Sequence, residues 1–148
     1  MLWMRKDILK NYITSNFNKM NKIFSQETIN SIKNRDTKDI IDNFLHATHD
    51  MPRSHAAILI GLRINNDYQK YSKLLLEEMA KKIHFQNVRL GIKSAWTVAI
   101  SAIENLNPTD YFKIKNEFDK WDEEERKNLL EWLRHHPEHC KILKEGKV

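Results

Sequence analysis

Apolar residues recur at steps of three and four along nearly the whole chain, a spacing typical of amphipathic helices. The period is first seen over 3–24, which we predict to be one long helix with apolar residues at Ile8, Leu9, Tyr12, Ile13, Phe17, Met20 and Phe24. No stretch of useful length alternates apolar and polar residues, as a half-buried strand would. The pattern therefore predicts an all-α fold.

Capping and helix-breaking residues divide the rest of the chain into further helices. Three residues can cap the start of a helix with a side-chain oxygen: Ser25, Asp36 and Asp67. Pro52 fits the first turn of a helix over about 52–65, and Pro108 fits the first turn of a later one. With a last short helix over about 137–145, the sequence predicts about eight or nine helices.

The helix predicted over 88–106 is the most apolar of the set. Its polar residues fall at steps of four, four, four and three: Arg89, Lys93, Thr97, Ser101 and Glu104. They form one narrow stripe, and nearly all other positions are apolar. We expect this helix in the middle of the structure, with only the stripe reaching solvent.

The segment "NVRLGIKSAWTVAISAI" (87–103) resembles the second helix of a HEAT-type repeat, in which Val-Arg precedes small and branched residues. By helix pairing the resemblance extends over residues 37–135. It implies a short curved stack of helix pairs whose inner surface grips a partner. The repeat spacings also suit an irregular helical bundle, so both architectures stay open.

Size and cysteine content indicate a single intracellular domain over residues 1–148. The one cysteine, Cys140, cannot form an internal disulfide, which fits a reducing compartment. Arg5 and Lys6 interrupt the apolar start "MLWMRK" before a secretory signal can form. We therefore expect a cytoplasmic protein without a membrane span.

The charge is unevenly distributed. The net charge is +5, but residues 101–148 carry nine Lys/Arg against eleven Asp/Glu, a net −2. Such polarity suggests a charged partner. Neither glycine-rich phosphate-binding motif is present, which excludes nucleotide binding through those loops.

The segment "HHPEHC" gathers three histidines and the cysteine, at His135, His136, His139 and Cys140. A structural zinc site usually has four ligands, often with paired cysteines. Histidines also suit the carbonyl end of a helix without any metal. We expect no metal site, no cofactor and no catalytic cysteine here.

The segment "DNFLHATHD" gives a first candidate surface. On an uninterrupted helix Asp42, His46 and Asp50 would form a solvent-facing ladder of i,i+4 pairs, with His49 at its edge. These four residues are predicted to bind a partner. The less favoured alternative is a metal-dependent hydrolase built on His46, His49 and Asp50.

Two charged segments give the other candidates. The run Asp122, Glu123, Glu124 and Glu125 predicts a helix start with a capping box between Asp122 and Glu125, and an acidic patch for a cationic partner. The basic corner Lys81, Lys82, Arg89 and Lys93 could instead contact phosphates without sequence specificity.

Together these patterns favour a non-enzymatic protein-binding module, such as an immunity or inhibitor protein that occludes a toxin or nuclease. Non-sequence-specific nucleic-acid binding through the basic corner is the alternative. The oligomeric state and the partner's identity do not follow from the sequence.

Overall fold

A computed structural model of the chain describes residues 34–86 and 93–135. These ranges hold six α-helices: α1 (Thr37–Asn43), α2 (Asp50–Leu62), α3 (Tyr68–Glu78), α4 (Ser94–Asn105), α5 (Tyr111–Asp119) and α6 (Glu123–Leu133). Short 3-10 turns lie at Ile64–Asn66, Lys82–Phe85 and Pro108–Asp110. No strand occurs in the described ranges, which confirms the all-α prediction. The helices predicted over 3–24, after Ser25 and over 137–145 lie outside them.

Two of the predicted caps are confirmed by their hydrogen bonds. The Asp36 carboxylate accepts from the backbone N–H of Asp39 at 2.8 Å and starts α1. Asp67 accepts from the N–H of Lys70 at 3.2 Å and starts α3. Helix α2 begins at Asp50, two residues earlier than predicted, so Pro52 still lies in its first turn.

Helix α4 lies at the centre and packs against α2, α3 and α5. Every residue from Ser94 to Glu104 is buried, which confirms the predicted central position. The helix begins at Ser94 and not at 88, because Lys93 is extended at its N-cap. The solvent-exposed stripe was wrong for Thr97 and Ser101, which α2 covers, and Arg89 lies outside the described residues. Thr97 donates a hydrogen bond to Ser54 Oγ at 3.1 Å, and Ser101 donates to the Ala57 carbonyl at 2.9 Å.

Side chains of α4 approach α2 closely at Gly61. A Cβ atom at this position would lie 2.0 Å from Ser101 Oγ and 2.6 Å from Asn105 Nδ2. A Cβ atom at these distances would force the Ser101 and Asn105 side chains to shift, so this crossing favours a residue without a side chain.

The 3-10 turn Lys82–Phe85 forms the corner between α3 and the segment leading to α4. The Trp121 indole donates a hydrogen bond to the Met79 carbonyl at 2.8 Å, joining the end of α5 to the end of α3. Phe85 meets Trp121 edge to face, with ring centroids 5.0 Å apart. This corner carries the features described below.

Helix α6 packs on the same side through Leu129 and Leu133, which are fully buried. Its Trp132 ring lies 6.1 Å from the ring of Trp96 on α4. In the described part of the chain, no helix has both the length and the apolar character needed to cross a bilayer.

Candidate functional site

Three ionisable side chains meet where the loop after α1 reaches the end of α3. Nε2 of His46 lies 2.6 Å from Glu78 Oε1, and Nε2 of His84 lies 2.7 Å from the same oxygen. His46 comes from the loop 44–49, Glu78 is the last residue of α3, and His84 belongs to the 3-10 turn. Glu78 and His84 are fully buried, whereas the side chain of His46 is 41% exposed. We call this set the His–Glu–His cluster.

Glu78 is buried because it shares the core-facing side of α3 with Leu75 and Met79. Its second oxygen, Oε2, lies 2.8 Å from Lys81 Nζ. Burial raises the pKa of Glu78, but hydrogen bonds from His84, Lys81 and His46 outweigh it and bring the pKa to about 2. The carboxylate is therefore ionised and supplies negative charge inside the fold.

Both ring nitrogens of His84 have a hydrogen-bond partner. Its Nδ1 lies 2.8 Å from Ser94 Oγ, at the first residue of α4. Burial lowers the pKa of His84, although the hydrogen bond to Glu78 opposes the shift. A neutral ring satisfies all contacts when Nε2–H donates to Glu78 and Nδ1 accepts the Ser94 hydroxyl proton.

Arg53 is completely buried and forms hydrogen bonds with the segments that carry the cluster. Its guanidinium donates to the carbonyls of Ala47 at 2.7 Å, Thr48 at 2.9 Å and Gln86 at 3.0 Å. Its Nε donates to Ser94 Oγ at 3.0 Å. One side chain thus ties the loop that carries His46 to the turn that carries His84.

Burial lowers the pKa of Arg53, and the nearby Asp50 carboxylate raises it. A guanidinium stays protonated in proteins, so Arg53 remains a cation. Asp50 is only 2% exposed and provides buried negative charge close to it.

The predicted ladder of Asp42, His46 and Asp50 is wrong. Helix α1 ends at Asn43, so the three residues do not share one helix. The chain leaves the helix because Leu45 turns into the core, while the carbonyls of the following loop bond to Arg53 instead of helical amides.

The four residues of that predicted surface occupy different environments in the structure. Asp42 is exposed and accepts a hydrogen bond from Lys38 at 2.7 Å. His49 is exposed at the N-cap of α2, where its side chain forms no capping bond. His46 alone joins the His–Glu–His cluster, and Asp50 is buried.

The acidic run lies as predicted at the start of a helix, but the capping box was wrong. Asp122 occupies the N-cap of α6 without a side-chain capping bond. Glu125 turns away and accepts from Lys93 Nζ with both oxygens, at 2.6 and 2.7 Å. Asp122, Glu123 and Glu124 are exposed.

Two of the three described residues of the basic corner are paired with carboxylates. Lys81 pairs with Glu78 and Lys93 pairs with Glu125, while Lys82 is exposed. Arg89 lies outside the described residues.

The structure places parts of the acidic run and of the basic corner around one groove. This groove, which we call the corner groove, has a volume of about 480 Å³ and is lined by Met79, Ala80, Lys82, Phe85, Lys120, Trp121, Asp122 and Glu125. The edge-to-face pair of Phe85 and Trp121 gives it an aromatic wall.

Two residues of the cluster, Glu78 and His84, were missed by the sequence analysis. The signal for Glu78 was its helical spacing from Leu75, three residues before, which puts a carboxylate on an apolar face. His84 gave no comparable signal, because the fold of the turn decides its burial. In the "HHPEHC" segment His135 is exposed just after α6, and His136, His139 and Cys140 lie outside the described residues.

Comparisons of this chain with protein-family models, with curated proteins and with solved structures gave no match. Inferences about its function therefore rest on its own residues and geometry.

Proposed function

We propose that this chain is a non-enzymatic protein-binding module, and that its corner groove holds a basic segment of the partner. The observation that supports this is the composition of the groove. It combines the aromatic pair Phe85 and Trp121 with the exposed carboxylate of Asp122. Two of the other charged residues that line the groove are already paired, Glu125 with Lys93 and Lys120 with Glu117. Aromatic side chains beside a shallow pocket are common anchors of protein interfaces.

The charges beside the groove favour a basic protein over nucleic acid. Asp122 lines the groove and Glu123 and Glu124 follow it in the chain; all three are exposed and make no ion pair with any residue in the described ranges. They repel phosphates and attract cationic side chains. Phosphate binding draws on several free cations, but Lys81 and Lys93 are already paired with carboxylates.

Under this proposal the partner supplies Lys or Arg side chains to these exposed carboxylates and an apolar side chain to the aromatic wall. A cationic toxin or nuclease has this chemistry, and the chain would act as an immunity or inhibitor protein in the cytoplasm. The finer architecture is part of the same proposal: about eight or nine helices, arranged as an irregular bundle or as a short HEAT-like stack.

Site-specific photo-crosslinking in the source cells tests whether the partner binds in the corner groove. A photoreactive residue replaces Lys82 in the groove, and a matched probe replaces Lys73, which is exposed on α3. We expect one basic protein to crosslink to the probe at position 82 and not to the probe at position 73.

Charge reversal tests whether the exposed carboxylates attract that partner. We expect Glu123→Lys combined with Glu124→Lys to weaken binding at least ~10-fold and to reduce its salt dependence. Glu131→Lys, on the same helix but farther along, should leave the affinity within about 2-fold. Equal crosslinking from both probes, or capture of nucleic acid that Lys82→Glu abolishes, would overturn the proposal.

A further inference from the structure

The His–Glu–His cluster has the composition of a transition-metal site. Two imidazole nitrogens and one carboxylate oxygen, from three separate elements, all lie within 4.8 Å of one another. Catalytic and regulatory zinc sites commonly use three such ligands and leave a fourth position for water or another ligand.

We propose that Nε2 of His46, Oε1 of Glu78 and Nε2 of His84 bind one divalent transition-metal ion, with zinc the best match for this donor set. This inference does not depend on the proposed partner binding, because the metal site and the corner groove use different side chains.

The required rearrangement is small. Zinc takes imidazole nitrogen and carboxylate oxygen at about 2.0–2.2 Å, so tetrahedral ligands stand roughly 3.3 Å apart. The two nitrogen–oxygen distances are now 2.6 and 2.7 Å. Both distances must therefore widen by roughly 0.6 Å. His46 lies on a loop and its side chain is 41% exposed, so it can withdraw and leave a solvent-facing ligand position, whereas the buried Glu78 and His84 side chains must move apart by a similar amount.

The surroundings of His84 suit a metal ligand. Metal binding requires a bare Nε2, and the remaining proton must then lie on Nδ1. Ser94 Oγ, at 2.8 Å, can accept that Nδ1–H. The serine hydroxyl can meanwhile donate to the His84 carbonyl at 3.3 Å, while Arg53 Nε continues to donate to Ser94 Oγ. The same hydroxyl therefore supports either tautomer of the ring.

The two carboxylate oxygens of Glu78 contact different neighbours. Oε1 faces both histidines, and Oε2 faces Lys81 Nζ at 2.8 Å. Glu78 therefore binds the ion through one oxygen while Lys81 holds the other. The Lys81 ammonium also repels a dication, so its removal should tighten metal binding.

Isothermal titration of the metal-stripped full-length chain with Zn²⁺, together with the visible spectrum of the Co²⁺ form, tests the site. We expect one ion per chain and the intense ligand-field absorption of tetrahedral Co²⁺. His46→Ala should weaken Zn²⁺ binding at least ~100-fold, more than a typical outer-shell change. His49→Ala removes an exposed histidine from the same loop and should leave the affinity within about 2-fold.

Two further variants show whether the ion binds to the His–Glu–His cluster. The first tests other possible metal ligands, and the second does not require a cluster residue to be replaced. A chain with His136→Ala, His139→Ala and Cys140→Ser should retain the site, since these residues are not its ligands. Lys81→Gln should tighten Zn²⁺ binding by roughly 3-fold or more, through loss of a nearby cation. This gain stays measurable even when His46→Ala fails to fold.

Absence of Zn²⁺ binding by the unaltered chain would overturn the proposal. So would binding that survives His46→Ala but disappears in the C-terminal variant, because the ion would then belong to the "HHPEHC" segment. Unchanged or weaker affinity in Lys81→Gln would contradict the assignment of Oε1 and Oε2.

Discussion

At the scale of single residues, buried polar groups fix the geometry of the corner. Arg53 is completely buried and bonds to three backbone carbonyls and one hydroxyl. The planar guanidinium has five N–H donors and satisfies all four acceptors, whereas a lysine ammonium has only three donors. Its burial is tolerated because these acceptors replace water and Asp50 supplies a nearby negative charge.

Tyr68 is the residue whose titration should be visible in the stability of the fold. Its hydroxyl donates to Asp110 at 2.6 Å and accepts from the N–H of Asn107 at 2.7 Å, joining α3 to the turn before α5. Burial and the hydrogen bond to Asp110 raise the pKa of Tyr68 to about 12. The folded state therefore holds this proton more tightly than the unfolded chain does.

We expect this contribution to be complete below pH 10, the ordinary pKa of the phenol, and to be lost as the pH rises towards about 12. Tyr68→Phe should cost about 1–2 kcal/mol at neutral pH and should flatten the fall in stability across this window. Urea unfolding at several pH values measures both effects. Tyr71→Phe, which leaves the Asp110 contact intact, is the control. Identical pH slopes for Tyr68→Phe and the unaltered chain would contradict this expectation.

At the scale of elements, the crossing of α2 and α4 organises the described part of the molecule. Both helices are buried along most of their length, so polar residues between them must pair with each other. Thr97 bonds to Ser54, and Ser101 bonds to the Ala57 carbonyl. Gly61 allows this contact by leaving room for Ser101 and Asn105.

Gly61→Ala should therefore destabilise the fold by about 1–3 kcal/mol, since the new methyl group overlaps Ser101 Oγ. Urea unfolding gives the value, and Ser101→Ala measured alone completes a double-mutant cycle. In the double variant the cost should be smaller than the sum of the two single costs by at least about 0.5 kcal/mol. Strict additivity would show that the serine hydroxyl is not what opposes the methyl group.

At the scale of the whole molecule, α6 is joined to the central helices by an ion pair as well as by its apolar face. Lys93 lies just before α4 and Glu125 lies in the first turn of α6. Their side chains are 19% and 14% exposed, which shields the pair from solvent. Glu125 was predicted to cap its own helix, and it instead connects two distant parts of the chain.

Lys93→Met should cost about 1.5–3 kcal/mol, because it leaves the largely buried Glu125 carboxylate without its cation. The exchange Lys93→Glu with Glu125→Lys should recover part of that loss. Lys115→Met is a matched control, as it removes a surface pair with Asp119 within a single helix, and should change stability by less than about 0.5 kcal/mol. A cost no larger than that of the control would show that the pair does not hold α6 in place.

The sequence predicted features that depend on local chemistry. The all-helical character followed from the spacing of apolar residues, and the Asp36 and Asp67 caps followed from side-chain hydrogen bonding to the next turn. The central place of α4 followed from its composition. Each of these signals acts within a few residues of the chain, so no knowledge of distant contacts was needed.

The candidate site was predicted only in part, for the opposite reason. His46 was selected, but on the premise that α1 continued past Asn43. The end of that helix depends on Leu45 entering the core and on Arg53 capturing the loop carbonyls. Glu78 and His84 acquired a role only because the fold brings their side chains to the same place as His46.

By itself, therefore, the sequence determined an all-helical chain, the starts of several helices and the most buried one, because periodicity and capping are short-range effects. Tertiary structure alone decided that Thr97 and Ser101 of α4 face α2, that Lys93 and Glu125 neutralise each other, and that two histidines share one buried carboxylate. Those outcomes depend on which side chains meet across the core, and residues up to 44 positions apart in the chain make these contacts.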